Sequence, residues 1–319
     1  MSWDVIIPFL RPIEFLIRDP DISEIMVNGT SQVFIERHGD LRPVPDVAIS
    51  EKSLQVAVRN IARVLGDEVS DEKPILDSRL PDGSRVAAVF PPCSVTGTIL
   101  SIRKFHSKRY TPDELVRIGT LTSGPLKDIR DAIVNRQNIL ISGGAGTGKT
   151  TLLNALASFI PDCERIIVIE DTSELQLQMP NLVRLEARRE QPGLPAVTIR
   201  DLLRATLRLR PDRILLGEVR GGEAFDLLQA LNTGHAGSLC TIHANSAELA
   251  LSRFTSCVLM SGIELPYAAI RANIADALDL IVHIERRHGR RFVAEVLRIR
   301  RYLPSEDRYE FEPLFRRES

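Results

Sequence analysis

Read for its apolar and polar positions, the chain changes character about a third of the way along. Residues 22–29 (ISEIMVNG) and 32–44 (QVFIERHGDLRPV) are short strand-like runs, the second turning back at His38-Gly39-Asp40. Leu54, Val58, Ile61 and Leu65 then recur at helical spacing, with Gly66 suited to the end of that helix. Two more strand-like runs follow, SRVAAVFPP (84–92) and GTILSIRKF (97–105), with Pro81-Asp82-Gly83 as the turn before the first. After a polar stretch from His106, Thr111-Pro112-Asp113-Glu114 has the form of a helix start with a capping box.

From there the runs are more apolar and alternate with helical segments. NILIS (138–142), RIIVIE (165–170), LVRLEA (182–187), RILLGEV (213–219) and SLCTIHA (238–244) read as strands, several without polar alternation, as strands buried on both faces should. Thr198 and Asp201 cap the helix IRDLLRATLRL. The tail holds a hairpin around His288-Gly289 that extends or flanks the sheet. The pattern predicts an α/β protein: a small N-terminal α/β domain (1–105), a linker (106–112) and a larger domain (113–319) with a mostly parallel sheet covered by helices.

Composition changes this picture little. The 319 residues are 44% hydrophobic and 26% charged, ordinary for a globular chain, and 41 basic against 42 acidic residues leave a net charge of −1. No global basic footprint for nucleic acid results, so direct nucleic-acid binding is not expected. Cys93, Cys163, Cys240 and Cys257 form no CxxC pair; they read as small buried thiols of a reducing compartment. The N-terminus lacks the form of a secretory signal, and no apolar run approaches a membrane span. A cytoplasmic protein, brought to a membrane only by partners, is expected.

The chemistry begins at residues 143–150, GGAGTGKT, between an apolar strand and the helical TTLLNALASF. This is the P-loop pattern, in which small residues let successive N–H groups curl around a phosphate. Gly143, Gly144, Ala145, Gly146, Thr147, Gly148, Lys149, Thr150 and Thr151 are the candidate nucleotide-binding residues. Lys149 would neutralise the β/γ oxygens, the Thr150 hydroxyl would ligate Mg²⁺, and the following helix adds its positive end. ATP and Mg²⁺ are the expected ligands.

Glu218 ends the strand RILLGEV, and Glu170 and Asp171 end RIIVIE. Gly217 stands where many P-loop proteins carry a metal-binding Asp. Carboxylates at such strand ends face the ligand crevice, where Glu170 and Glu218 could orient water or complete the Mg²⁺ shell; the bland reading of each is a loop acid or helix cap. His243, also at a strand end, is a γ-phosphate sensor or a structural residue. His235 reads as structural, and the remaining histidines as exposed turn residues.

Taken in order, the P-loop, IEDTSEL, RPDRILLGEVRGGEA and TGHAGSLCTIHANS resemble the type II/type IV secretion ATPase superfamily. The style of ISEIMVNG, DSRLPDGSRV, LSIRKF and LPYAAIRANIADALDLIVHI is most similar to its CpaF/TadA branch, which powers Tad/Flp-type pili, with TrbB-like conjugation ATPases as near relatives. The resemblance spans about residues 20 to 300. It implies a RecA-like ATPase domain in a cytoplasmic homo-hexamer, with an inner-membrane platform protein as partner. It also implies that Glu170 and Glu218 share water activation and metal coordination. His243 would lie near the γ-phosphate, and Arg85 and Arg103 would close over the nucleotide. The competing readings are a nucleic-acid translocase on the same core and an ATP-gated switch with negligible turnover; a GTPase is disfavoured because no NKxD or TKxD segment occurs.

Overall fold

A computed structural model describes residues 6–80, 82–105, 109–188, 190 and 194–317. The chain divides into two compact units, residues 1–108 and 109–319.

In the first unit a short helix α1 (Glu14–Arg18) leads into β1 (Ile22–Asn28), β2 (Gln32–Arg37) and β3 (Asp40–Val44). Helix α2 (Glu51–Val64) follows, then β4 (Ile75–Arg79), β5 (Arg85–Val89) and β6 (Ile99–Arg103). The strands form one sheet in the order β3-β2-β1-β6-β5-β4, antiparallel throughout. The turn between β2 and β3 uses His38 and Gly39, both left-handed. Ser50 caps α2 by accepting the Ser53 N–H, and Gly66 follows its end at φ 74°. The α2 stripe Leu54, Ala57, Val58, Ile61 and Ala62 is buried with Val86, Ala88, Leu100 and Ile102 in one core. Alternation along β5 and β6 then turns Arg85 and Arg103 to the opposite face.

The second unit opens with α3 (Pro112–Arg117), where Thr111 and Glu114 make both bonds of the expected capping box. Of the expected linker, residues 106–108 lie outside the described residues, and Pro112 already belongs to α3. Next come α4 (Ser123–Val134), β7 (Ile139–Gly143), α5 (Lys149–Leu156), β8 (Ile166–Glu170), β9 (Leu182–Glu186) and α6 (Ile199–Thr206). They are followed by β10 (Arg213–Val219), α7 (Glu223–Asn232), β11 (Leu239–His243), α8 (Ala247–Leu259) and α9 (Tyr267–Ala277). The unit ends with β12 (Leu280–Arg287), β13 (Arg290–Leu303) and β14 (Arg308–Arg316).

The eight strands lie in the order β14-β13-β12-β7-β11-β10-β8-β9, parallel from β12 to β9, with β13 and β14 adding antiparallel strands at one edge. Every residue of β7 and β8 is buried, as a central parallel sheet covered on both faces requires. Two apolar clusters divide the core of this unit, one around α7, α8 and α9, the other around α4 and α5. Two expectations fail here. Cys93 and Cys163 are exposed, and only Cys240 and Cys257 are buried. His283 is no turn residue: it sits on β12, 2% exposed, hydrogen-bonded through Nδ1 to Ser142 Oγ at 2.9 Å. No helix among the described residues is long and apolar enough to cross a membrane.

Candidate nucleotide site

Strand register assembles this site. β7 ends at Gly143, where the chain must pass close to its neighbour: a Cβ there would fall 2.4 Å from the Ile284 carbonyl oxygen of β12. Only glycine allows that approach. The loop then turns through Gly146 (φ 66°) and Gly148 (φ 96°), both left-handed, and α5 starts at Lys149. Such a loop presents backbone N–H groups and a helix start to an anion.

Lys149 is 7% exposed, and its ammonium donates to the carbonyls of Gly143 (3.1 Å) and Gly144 (2.8 Å). Its third contact is His243 Nδ1 at 3.2 Å. The β11–β7 register sets His243 directly opposite Gly143, which is why a residue ninety-four positions away reaches this ammonium. An ammonium only donates, so Nδ1 accepts and the imidazole proton sits on Nε2. That nitrogen lies 2.7 Å from Glu218 Oε1. The contact is of ion-pair range but off the hydrogen-bond axis, and it leaves Oε1 buried without an aligned donor. Burial, and after it the Lys149 charge, lower the His243 pKa against the pull of Glu218, so the ring is neutral at pH 7.

Glu218 is held from its other oxygen. Arg220 Nη2 and Nε lie 2.7 and 2.9 Å from Oε2, and Nη1 of the same guanidinium reaches Asp171 Oδ2 at 3.4 Å. Arg220 follows Glu218 by two residues in GEVRGGEA, a spacing visible in the sequence but not singled out there. The backbone after it is fixed by Glu223, whose Oε1 accepts the N–H groups of Arg220 and Gly221 at the start of α7.

Glu170 has a different environment. It is 4% exposed, and its Oε1 accepts two backbone N–H bonds, from Glu174 (2.8 Å) and Leu175 (2.9 Å). Burial raises its pKa despite those two bonds. Its side chain also fills the space beside Gly217: a Cβ on residue 217 would lie 2.9 Å from Glu170 Cγ. The missing Asp at 217 is therefore a matter of volume, because the neighbouring strand's glutamate already occupies that place.

The structure thus brings Lys149, His243 and Glu218 together at the phosphate loop, and sets Glu170 beside Gly217 and the loop that follows β8. Arg85 and Arg103 stand directly opposite one another on β5 and β6 of the first unit. Arg79 continues the row on β4 and Glu24 on β1.

Comparison with known proteins gives the family. The family model for the type II/IV secretion system protein matches residues 10–302. The conjugal transfer protein TrbB of Rhizobium radiobacter is 39% identical over 289 residues, covering 89% of this chain and 85% of that protein. The type IV secretion system protein VirB11 of Bartonella quintana is 34% identical over 328 residues, with 92% of each chain covered. Among solved structures, the Legionella pneumophila ATPase DotB superposes with a TM-score of 0.65 at 18% identity, covering 92% of this chain and 80% of that one, a likeness of fold alone. The chain belongs to the type II/IV secretion system protein family and is one of its nucleotide-binding ATPases.

Proposed function

We propose that this chain is the ATP-driven motor of a type IV secretion or conjugation machine, with Glu218 as the group that positions the attacking water. The observation that carries this reading is the contact chain Lys149–His243–Glu218 at the mouth of a P-loop. Lys149 lies where it would meet the β/γ-phosphate oxygens, exchanging its two carbonyl partners for them. The neutral His243 links that ammonium to Glu218 and so is suited to report on the γ-phosphate. Glu218, turned toward His243 and restrained by Arg220, is a carboxylate at the strand end beside the loop, suited to orient a reactive water.

The alternative role of the Glu218 carboxylate is toward Mg²⁺. Thr150, in the first turn of α5 beside Lys149, and Glu218 would hold the ion or its waters. When bound, the ion supplies charge neutralisation on the phosphates. Glu170, whose Oε1 is committed to two backbone N–H groups, is assigned to bracing the loop after β8 rather than to an equal share of the chemistry. Arg85 and Arg103 are assigned, on the resemblance, to phosphate contacts that form as the motor closes, where an arginine can be worth roughly 10³–10⁵ in rate.

The working form proposed is a homo-hexameric ring in the cytoplasm that meets the membrane through an inner-membrane platform component. The near-neutral charge supports a protein partner rather than direct nucleic acid. The CpaF/TadA pilus assignment rests on the segment resemblance, whereas the relatives named above are conjugal-transfer and type IV secretion proteins. Neighbouring genes for pilins and a prepilin peptidase would favour the pilus reading; genes for a mating-pair apparatus would favour conjugation. The nucleotide site itself is tested by Lys149→Ala in titration calorimetry with ATP. Loss of measurable binding is expected, and an affinity equal to that of the unaltered chain would contradict the assignment.

A further inference from the structure

A second set of charged groups touches the phosphate loop, from the flank away from Glu218. β12 and β11 border β7 on opposite sides. β12 turns into β13 through His288 and Gly289, both left-handed (φ 49° and 77°), and the sequence around that turn, ERRHGRR, holds four arginines. The register sets Arg286 opposite Arg291 and Arg287 opposite Arg290. Directly opposed residues share a face of a hairpin, so the four divide two and two.

Arg287 is turned to Glu285, Nε to Oε2 at 2.7 Å, and lies over the Phe292 ring. Arg286 and Arg291 reach the loop. Arg291 Nε donates to the Gly146 carbonyl at 3.0 Å. A Cβ built on Gly148 would lie 3.3 Å from Arg291 Cδ, and one on Gly146 would lie 3.7 Å from Arg286 Nη1. Ile284, two residues before Arg286, packs against Gly143 and Gly148, so the hairpin follows the loop along its length.

Both guanidiniums lie beside a loop whose own N–H groups suit phosphate. Guanidinium is also the side-chain group best matched to phosphate oxygens. We propose that Arg286 and Arg291 are nucleotide-binding residues supplied by the same unit as the P-loop, and that they contact the diphosphate common to ATP and ADP. The flank decides between binding and chemistry. Lys149, His243 and Glu218 gather on the β11 side of β7, whereas these arginines arrive from the β12 side. They therefore hold both nucleotides alike and leave the cleavage step to the other side.

The inference rests on the nucleotide assignment of the loop, and the test separates the two. Full-length chain, unaltered and as Arg286→Gln, Arg291→Gln and Arg291→Lys, is titrated with a fluorescent ADP analogue and with a nonhydrolysable ATP analogue, and steady-state ATP turnover is measured beside it. Each glutamine variant is expected to weaken ADP and ATP analogue by similar factors of roughly tenfold or more, as expected for loss of a hydrogen bond to a charged group. KM should rise while kcat is retained, and Arg291→Lys should recover part of the lost affinity because it keeps the charge. If the unaltered chain bound neither nucleotide, the assignment of the loop would fail. If it bound both and the glutamine variants bound them equally well, only the inference would be overturned. A fall in kcat with ADP affinity intact would also overturn it. So would a lysine variant as weak as the glutamine one, since the retained positive charge would then contribute nothing to nucleotide affinity.

Discussion

A side chain at position 217 would have no room, because Glu170 fills the volume a Cβ would enter. The glutamate cannot easily swing away, since its Oε1 is fixed by the Glu174 and Leu175 N–H groups. Gly217→Ala should therefore cost about 1–3 kcal/mol through overpacking. Shortening Glu170 to Ala should remove most of that increment, so the two changes should be strongly non-additive in a urea-denaturation double-mutant cycle. Additive effects would mean that the two positions do not compete for one space. Absence of an Asp at 217 was legible in the sequence; its cause was not, because it depends on a side chain forty-seven residues earlier on the neighbouring strand.

Strand register explains more of this site than any local motif does. β11 places His243 against Gly143, and β12 places His283 against Ser142. Thr241 Oγ1 bonds the Gly217 carbonyl at 2.6 Å, tying β11 to β10 beside Glu218. Elements with strong local signals were readable. The apolar runs of the central sheet declared themselves because both faces are buried, and both capping boxes formed on the expected residues. Thr111→Ala should cost about 1 kcal/mol, since it frees the Glu114 N–H and opens the box. A shift in urea midpoint at constant slope would report it, and an unchanged midpoint would show that the box adds nothing to the fold.

Weaker local signals were missed. β4 is an edge strand with a single buried residue, Leu76, so ILDSR shows no apolar alternation to find. The burial of His283 comes from lying on a strand between β7 and β13, a neighbourhood no local pattern reveals. The arginines of ERRHGRR are plain in the sequence. That two of them touch the P-loop follows only once β12 is known to lie beside β7.

At the scale of the whole molecule, the two units have different architectures: one antiparallel sheet with α2 in its core, and one mostly parallel sheet that carries the P-loop. A motor reading gives each a task. On the proposed motor reading the second unit binds and cleaves ATP, while the first carries Arg79, Arg85 and Arg103 in one cross-strand row with Glu24 at its end. Work can be drawn from such a pair only if ATP is actually cleaved, and the distinction between a motor and an ATP-gated switch falls on Glu218. The most direct test is a single-turnover, rapid-quench measurement of ATP cleavage by Glu218→Gln, alongside its ATP affinity. The account predicts affinity within a few-fold of the unaltered chain and cleavage slowed by about 10²-fold or more, the range expected for loss of a positioned base. Cleavage at near the unaltered rate, with ATP still bound, would contradict it and move the chemistry to Glu170.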